Sequence, residues 1–375
     1  FLLDDGWFGN GPYSRDDDKH GLGDWEPSTK KLPRGLSYIA KEALKRKVDF
    51  GIWLEPEMVN PQSELYQKHP DWIITQPKRT PILGRHQEIL DLTRPEVQAF
   101  EWQVIDKTLR PNPDISYVKW DCNRYITQPG SGYLQPAEQS HLWIDYNWAL
   151  YRLMERFSKE FPNVMAMLCA GGSGRVDYGA LPYFHSFWPS DNTDPLGRIK
   201  IQWGFSHFFP ASTISAHVTR MGKRHLKLAI DVALSGAFGI DLALDKATAE
   251  ERVQIADAVK LYKASIRPLV MQGELYRLVS PYEHPMASLS YVSTDKNDAV
   301  VYLYQIQDGS VPQVILGGLD ARKNYRVEEV GLPKGSTSRF PGHGKIFSGA
   351  ELMSTGIANP LNAQFESAIL LLKTQ

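Results

Sequence analysis

The stretch Ile115-Ser116-Tyr117-Val118-Lys119-Trp120-Asp121-Cys122-Asn123-Arg124 decides the fold. A short apolar run ends abruptly in charged and amide side chains. Such a run reads as a strand buried on both faces, as in a parallel sheet. Side chains alternate along a strand, so Lys119, Asp121 and Asn123 share one face. A lysine beside Asp121 favours the ionised carboxylate, which a nucleophile needs. The plainer alternative is a Lys–Asp pair that only closes the mouth of a barrel.

The same pattern recurs on both sides. Buried-strand runs cover 1–5, 48–55, 164–170, 186–191, 212–218 and 236–242. Several end in polar residues: Asp4 and Asp5, then Trp53, Glu55 and Glu57, then Cys169, then Ser190 and Asp191. Helix-period segments lie between most of them. One predicted face is Trp148, Tyr151, Met154, Phe157 and Phe161; another is Val253, Ala256, Val259, Tyr262 and Ile266. Thr93 with Glu96, Pro95 taking an early helical position, and Thr248 with Glu251 read as capping boxes.

Strand and helix alternating this often predict an α/β fold with a parallel sheet. The run at 115–121 and its six relatives make seven strands, and a closed (β/α)8 TIM barrel has eight. The expectation is a barrel lacking its first strand, over residues 1–276. The chain opens on Phe1 inside a strand pattern, without an initiator Met, which reads as a fragment whose upstream part is missing. From 277 to 375 the texture changes to short alternating runs separated by turn signals such as Asp308-Gly309 and Pro341-Gly342. That part is expected to be a small antiparallel β-sandwich domain.

Composition narrows the function classes. Hydrophobic residues make up 42% of the 375 and charged residues 23%, with a formal net charge of −1. This is a globular composition, and it argues against nucleic acid or an anionic membrane surface as partner. No apolar run approaches the roughly 20 residues of a membrane-spanning helix. Cys122 and Cys169 form neither a disulfide framework nor a metal-ligand spacing. His69, His86 and Glu88 match no metal-ligand motif either, so no metal and no cofactor is expected. The compartment stays open, with the cytoplasm favoured.

Carboxylates at successive strand ends gather on one face of a parallel barrel, where active sites lie. With aromatic neighbours they suggest a carbohydrate site. Asp191, after the aromatic run Phe187-Trp188, is the second candidate. Burial and a nearby carboxylate would raise its pKa and suit it to proton donation. The alternative is that Asp191 or Asp194 caps the next helix.

At this point the chain resembles glycoside hydrolase family 36, the microbial α-galactosidases. The matching motifs are Leu3-Asp4-Asp5-Gly6-Trp7-Phe8-Gly9, Trp53-Leu54-Glu55-Pro56-Glu57-Met58, Lys119-Trp120-Asp121, Ser190-Asp191-Asn192-Thr193-Asp194, and Cys169-x-x-Gly172-x-x-Arg175. The resemblance implies Asp121 as nucleophile and Asp191 as acid/base of a retaining mechanism, in which two carboxyls stand roughly 5 Å apart. It implies that Asp4 and Asp5 take the O4 and O6 hydroxyls of galactose, and that Trp53 forms an aromatic wall. Arg85 is implied as a sugar-binding residue. Lys119 and Asn123 flank the nucleophile, and Cys169 and Gly172 surround the 2-hydroxyl. The expected substrates are terminal α-galactosides of the melibiose and raffinose type, and a homo-oligomer is expected for the full-length protein. Cys122, where many relatives have Met, and Pro195, where small residues are common, depart from the pattern. An α-N-acetylgalactosaminidase, an α-galactosyl transglycosylase and a catalytically silent sugar-binding barrel are the rival readings.

Overall fold

The computed structural model describes residues 1–375. From the amino terminus, β1 (Leu2–Leu3), α1 (Gly35–Lys45), β2 (Phe50–Leu54), β3 (Met58–Val59), α2 (Glu64–Lys68), β4 (Glu88–Ile89), α3 (Pro95–Leu109), β5 (Ile115–Trp120), α4 (Leu142–Glu160), β6 (Met165–Leu168) and β7 (Ser186–Phe187) follow in order. Strands β1, β2, β5, β6 and β7 form one sheet in that order, and every pairing is parallel. The small β3–β4 ladder is antiparallel. All five residues of β2 are buried, as a continuous apolar run demands of a strand covered on both faces. Gly51 has to be small, because a Cβ there would lie 2.9 Å from the Cβ of its register partner Tyr117.

These elements make one of two compact units, Phe1–Trp188; the other is Pro189–Gln375. The second unit opens with α5 (Pro195–Phe205), β8 (Ser215–Val218), α6 (Leu226–Ala233), β9 (Ala237–Ile240), α7 (Ala249–Leu261) and α8 (Arg267–Gln272). Strands β8 and β9 pair in parallel. The remaining strands are β10 (Glu274–Val279), β11 (Met286–Val292), β12 (Asp298–Gln305), β13 (Gln313–Val314), β14 (Asn324–Val330), β15 (Ile346–Ser348), β16 (Ile357–Ala358) and β17 (Ser367–Thr374), with α9 (Gly349–Ser354) before β16. Six of them form an antiparallel sheet in the order β10-β11-β12-β17-β14-β15, and β13 pairs with β16.

Alternation along β12 and β17 sends two sets of side chains into two cores. Val300, Tyr302, Tyr304, Ile369 and Leu371 join the core of α6, α7 and α8. Val301, Leu303, Leu370 and Leu372 join Val314, Leu352 and Ile357 on the opposite face. The hydroxyls of Tyr291, Tyr302 and Tyr304 donate to the carbonyls of Ser235, Leu234 and Asp231 at 2.7, 2.8 and 3.1 Å. Carbonyls at a helix C-terminus have no partner inside the helix. Here a row of tyrosines supplies it and ties α6 to the sheet.

Three local expectations need correction. The buried stripe of α4 is Leu142, Tyr146, Ala149, Leu150, Leu153, Met154 and Phe157, whereas Trp148 is 60% exposed. The predicted face shared only Met154 and Phe157 with it, because it followed the aromatics rather than the leucines. In α7 the stripe runs through Ile255 and Ala258 to Tyr262 and Ile266, and Val253 is exposed. The π-helical turn Tyr262–Ile266 lies beyond α7, where a fixed 3.6 period no longer holds. Thr248 and Glu251 do form a capping box, but α3 has Arg94 as its N-cap with no side-chain bond. Thr93 Oγ1 donates instead to Asp91 Oδ1 at 2.6 Å.

Candidate active site

Asp121 directly follows β5, and its N–H prolongs the ladder to the Leu54 carbonyl at 2.8 Å. Its carboxyl is held through both oxygens: Trp53 Nε1 donates to Oδ2 at 2.9 Å and the Cys122 N–H to Oδ1 at 2.8 Å. The residue is 4% exposed. The Cys169 thiol also interacts with this carboxylate. Burial, then the charge of Asp121, pushes the thiol pKa far up, so Cys169 stays protonated and can donate. Three donors thus face one carboxylate and fix its orientation.

Lys119 Nζ pairs with Asp4 Oδ2 at 2.8 Å rather than with Asp121. Burial would lower the lysine pKa, but Asp4 and then Asp121 outweigh it, and the net shift is upward. The ammonium is therefore charged, and its field reaches Asp121. Asp5 is gripped by Arg15 at two points, Nε to Oδ1 at 3.0 Å and Nη2 to Oδ2 at 2.7 Å. Arg15 in turn reaches Asn60 Oδ1 at 3.1 Å. The carboxyls of Asp4 and Asp5 are both partly exposed and keep acceptor capacity for hydroxyls.

Trp53 is placed otherwise than expected. It is 2% exposed and offers no open wall. Its ring stacks on Phe8 at 6.2 Å, and its backbone carbonyl accepts from Trp7 Nε1 at 2.9 Å. Strand β2 is buried on both faces, so an indole on it has no free side. What it gives the site is its N–H.

Arg85 is exposed at the tip of a two-residue turn. Arg85 and His86 have φ of 51° and 61°, and Gly84 and Gln87 exchange both backbone hydrogen bonds across them, at 3.3 and 2.9 Å. This geometry usually selects Asn-Gly. Two large side chains in left-handed conformation carry strain, the kind that concentrates at functional sites.

Asn123 is held by its backbone, which donates to Glu55 Oε1. Gly172 sits in a left-handed bend at φ 95°, and its carbonyl accepts from the Ala170 N–H at 2.9 Å. The bend is anchored by Arg175, which pairs with the buried Glu57; Tyr146 Oη donates to the other oxygen of Glu57 at 2.6 Å. Glu88, singled out beside His69 and His86, is the buried ion-pair partner of Arg124 at 2.6 Å. Within the first unit, direct contacts link Trp53, Asp121 and Cys169, and a further ion pair joins Asp4 to Lys119. Asn123 joins through Glu55, to which Asp5 and Arg85 couple electrostatically.

Asp191 lies in the second unit, exposed, in the loop before α5. The loop is pinned by Arg198, which is 2% exposed. Its guanidinium donates to the carbonyls of Ser190 and Asn192, on either side of Asp191, at 3.0 and 2.9 Å, and to that of Ser215 at 3.0 Å. Thr193 Oγ1 meets Thr219 Oγ1 at 2.8 Å. Asp194, not Asp191, occupies the N-cap position of α5, and it makes no side-chain cap bond. Pro195 suits the first helical position, where a missing N–H costs nothing. Arg15, Arg198 and the clamp made by Glu55 had no sequence signal, since each acts on residues distant in the chain or on backbone carbonyls.

The Melibiase family matches residues 1–273, and the glycosyl hydrolase family 36 C-terminal domain matches 286–372. The chain is 40% identical to alpha-galactosidase AgaA of Geobacillus stearothermophilus, covering 96% of this chain and 48% of that protein. It is 36% identical to alpha-galactosidase 1 of Pediococcus pentosaceus, with 96% and 48% covered. The crystal structure of GH36 alpha-galactosidase AgaB from G. stearothermophilus superposes with a TM-score of 0.91 at 39% identity, over 100% of this chain and 50% of that one. A variant of AgaA in complex with raffinose gives a TM-score of 0.90 at 38% identity, with 100% and 51% covered. The chain thus spans about half the length of these relatives. Its fold class is theirs, a (β/α) barrel followed by an antiparallel β domain. The chain belongs to the melibiase family, glycoside hydrolase family 36.

Proposed function

We propose that the protein carrying this chain is a retaining α-galactosidase that releases terminal α-D-galactose from melibiose- and raffinose-type oligosaccharides. The observation that carries this reading is Asp121: a buried carboxylate oriented by Trp53, Cys122 and Cys169, with the Lys119 charge beside it. Asp121 attacks the anomeric carbon while Asp191 protonates the departing oxygen. A β-galactosyl ester forms on Asp121. Asp191 then deprotonates a water, which displaces the carboxylate and yields α-galactose. Asp4 and Asp5 accept sugar hydroxyls, Arg85 donates to them, Lys119 and Asn123 flank the nucleophile, and Cys169 and Gly172 surround the 2-hydroxyl. Trp53 acts on the carboxylate rather than on the sugar face.

Similarity to proteins named alpha-galactosidases, one of them a variant complexed with raffinose, supports the substrate class. Family matches ending at residue 273 and beginning at 286 are compatible with a catalytic part over 1–276 and a β domain over 277–375. A homo-oligomer belongs to the same reading. Trp143, Ile144 and Trp148 on α4, each half exposed or more, give it an apolar surface. No helix is long and apolar enough to cross a membrane.

The test is hydrolysis by the full-length protein of p-nitrophenyl α-galactoside against the matching α-N-acetylgalactosaminide. NMR of the first-formed product of melibiose supplies the stereochemistry. Preference for the galactoside with α-galactose as first product is expected. First-formed β-galactose would rule out double displacement.

A further inference from the structure

Glu55 has no part in the reaction described so far, yet it is completely buried at the end of β2. Its Oε1 accepts the N–H of Asn123, two residues beyond Asp121, and its Oε2 accepts from Gln87 Nε2 at 3.2 Å. Gln87 closes the turn that presents Arg85. One carboxyl therefore joins three segments: the end of β2, the loop after the nucleophile and the Arg85 turn. The preceding residue completes the grip, since the Leu54 carbonyl receives the Asp121 N–H at 2.8 Å.

Both partners of this carboxyl are neutral amides. An ionised carboxylate buried this way, beside Asp121, would carry a large desolvation cost. We propose that Glu55 is a positioning residue for the nucleophile: in its neutral form, its carboxyl fixes the Asp121–Asn123 loop and the Arg85 turn against β2.

The groups facing it agree. Burial first, then the charges of Asp121 and Asp5, raise its pKa to about 8, against the Asn123 hydrogen bond and Arg85. The Cys122 thiol, itself pushed up by burial, faces it as well. With Glu55 uncharged, no second anion from this residue stands beside Asp121. Asp121 can pass from carboxylate to ester and back within a fixed frame.

The inference rests on the α-galactosidase reading. Its test compares Glu55→Gln with Glu55→Ala in the full-length protein on p-nitrophenyl α-galactoside. Glutamine keeps the oxygen for Asn123 and stays neutral, and the unpartnered Oε1 of Gln87 can turn to accept from it. Glu55→Gln is expected to keep kcat within about threefold at pH 7. Glu55→Ala is expected to lose ~30- to 100-fold in kcat as the reacting groups are displaced, with a smaller rise in KM as the Arg85 turn loosens. Wild-type kcat/KM should fall through an ionisation near pH 8 that Glu55→Gln lacks. A purely structural role would leave the pH profile unchanged.

Equal losses in the two variants would overturn the proposal, since a charge would then be required. So would native kcat in Glu55→Ala, since the clamp would then be idle. If Glu55→Ala does not fold, Glu55→Gln decides alone: retained kcat with the pH 8 ionisation gone supports the proposal, and any other result overturns it. A wild type that cleaves a different aryl glycoside but no α-galactoside sinks the substrate reading alone. The same comparison is then made on the cleaved substrate.

Discussion

The two candidate catalytic carboxylates sit in different surroundings, one buried and one exposed. Asp121 is buried and fixed through its own oxygens, by an indole, a backbone N–H and a thiol. Asp191 is exposed, and the backbone on either side of it is fixed, where Arg198 binds the carbonyls of Ser190 and Asn192. A nucleophile needs one aim and a stable negative charge, so donors on the carboxyl serve it. A group that passes a proton out and back needs a steady base and a carboxyl able to exchange protons. The difference in burial is in keeping with the different parts proposed for two residues of the same type.

The sharpest way to break the comparison is to neutralise one partner. Asp121→Asn should lower kcat for p-nitrophenyl α-galactoside by ~10⁴-fold or more, because a neutral amide oxygen is too weak a nucleophile to form the glycosyl bond. Near-normal turnover would remove Asp121 from the mechanism. Asp191→Ala should cost little on an aryl galactoside with a good leaving group in the bond-breaking step. On melibiose, whose leaving group needs the proton, it should cost ~10²- to 10⁴-fold. A uniform loss on both substrates would argue against proton donation.

Milder changes sharpen the contrast. Trp53→Phe keeps a ring in the buried site and removes one donor to Asp121 Oδ2. It should lower kcat/KM by ~10²-fold, whatever the leaving group. Arg198→Met frees the backbone around Asp191, and its loss, ~10-fold, should be larger on melibiose than on the aryl substrate. If the two variants showed the same leaving-group dependence, the separate roles proposed for Asp121 and Asp191 would fall.

A separate effect concerns stability rather than rate. In the folded protein the Glu55 pKa is raised to about 8, from an ordinary glutamate value near 4.5. The folded state therefore binds its proton more tightly than the unfolded chain does. That contribution is complete below pH 4.5 and is lost as pH rises toward about 8. Glu55→Gln should raise the melting temperature at pH 8, corresponding to about 2–4 kcal/mol, and the gain should shrink toward nothing near pH 4.5. Differential scanning fluorimetry across this range reads it directly.

Much of this was legible in the chain. Continuous apolar runs marked β2, β5 and β6, because a strand covered on both faces admits no alternation. Polar residues at their ends marked the site. What stayed hidden depends on long-range packing. The phase of α4 follows what lies against it, and exposed Trp148 misled a reading based on aromatics. Trp53 looks like a sugar wall by residue type; only the burial of β2 shows that its N–H is the useful part. Glu55 stood inside a quoted motif, yet its partners Gln87 and Asn123 lie 32 and 68 residues away. The tyrosines of β11 and β12 gave a strand pattern but no hint that their hydroxyls cap α6.

In the proposed reaction Asp121 becomes covalently bound to galactose. The most direct measurement is mass spectrometry of peptides from the full-length protein after reaction with a slow fluorinated α-galactosyl donor. The expected result is one added glycosyl mass on the peptide containing residues 115–124, localised to Asp121 and absent from Asp121→Asn. A label on Asp191 or Glu55, or turnover of the donor with inversion and no adduct, would contradict it.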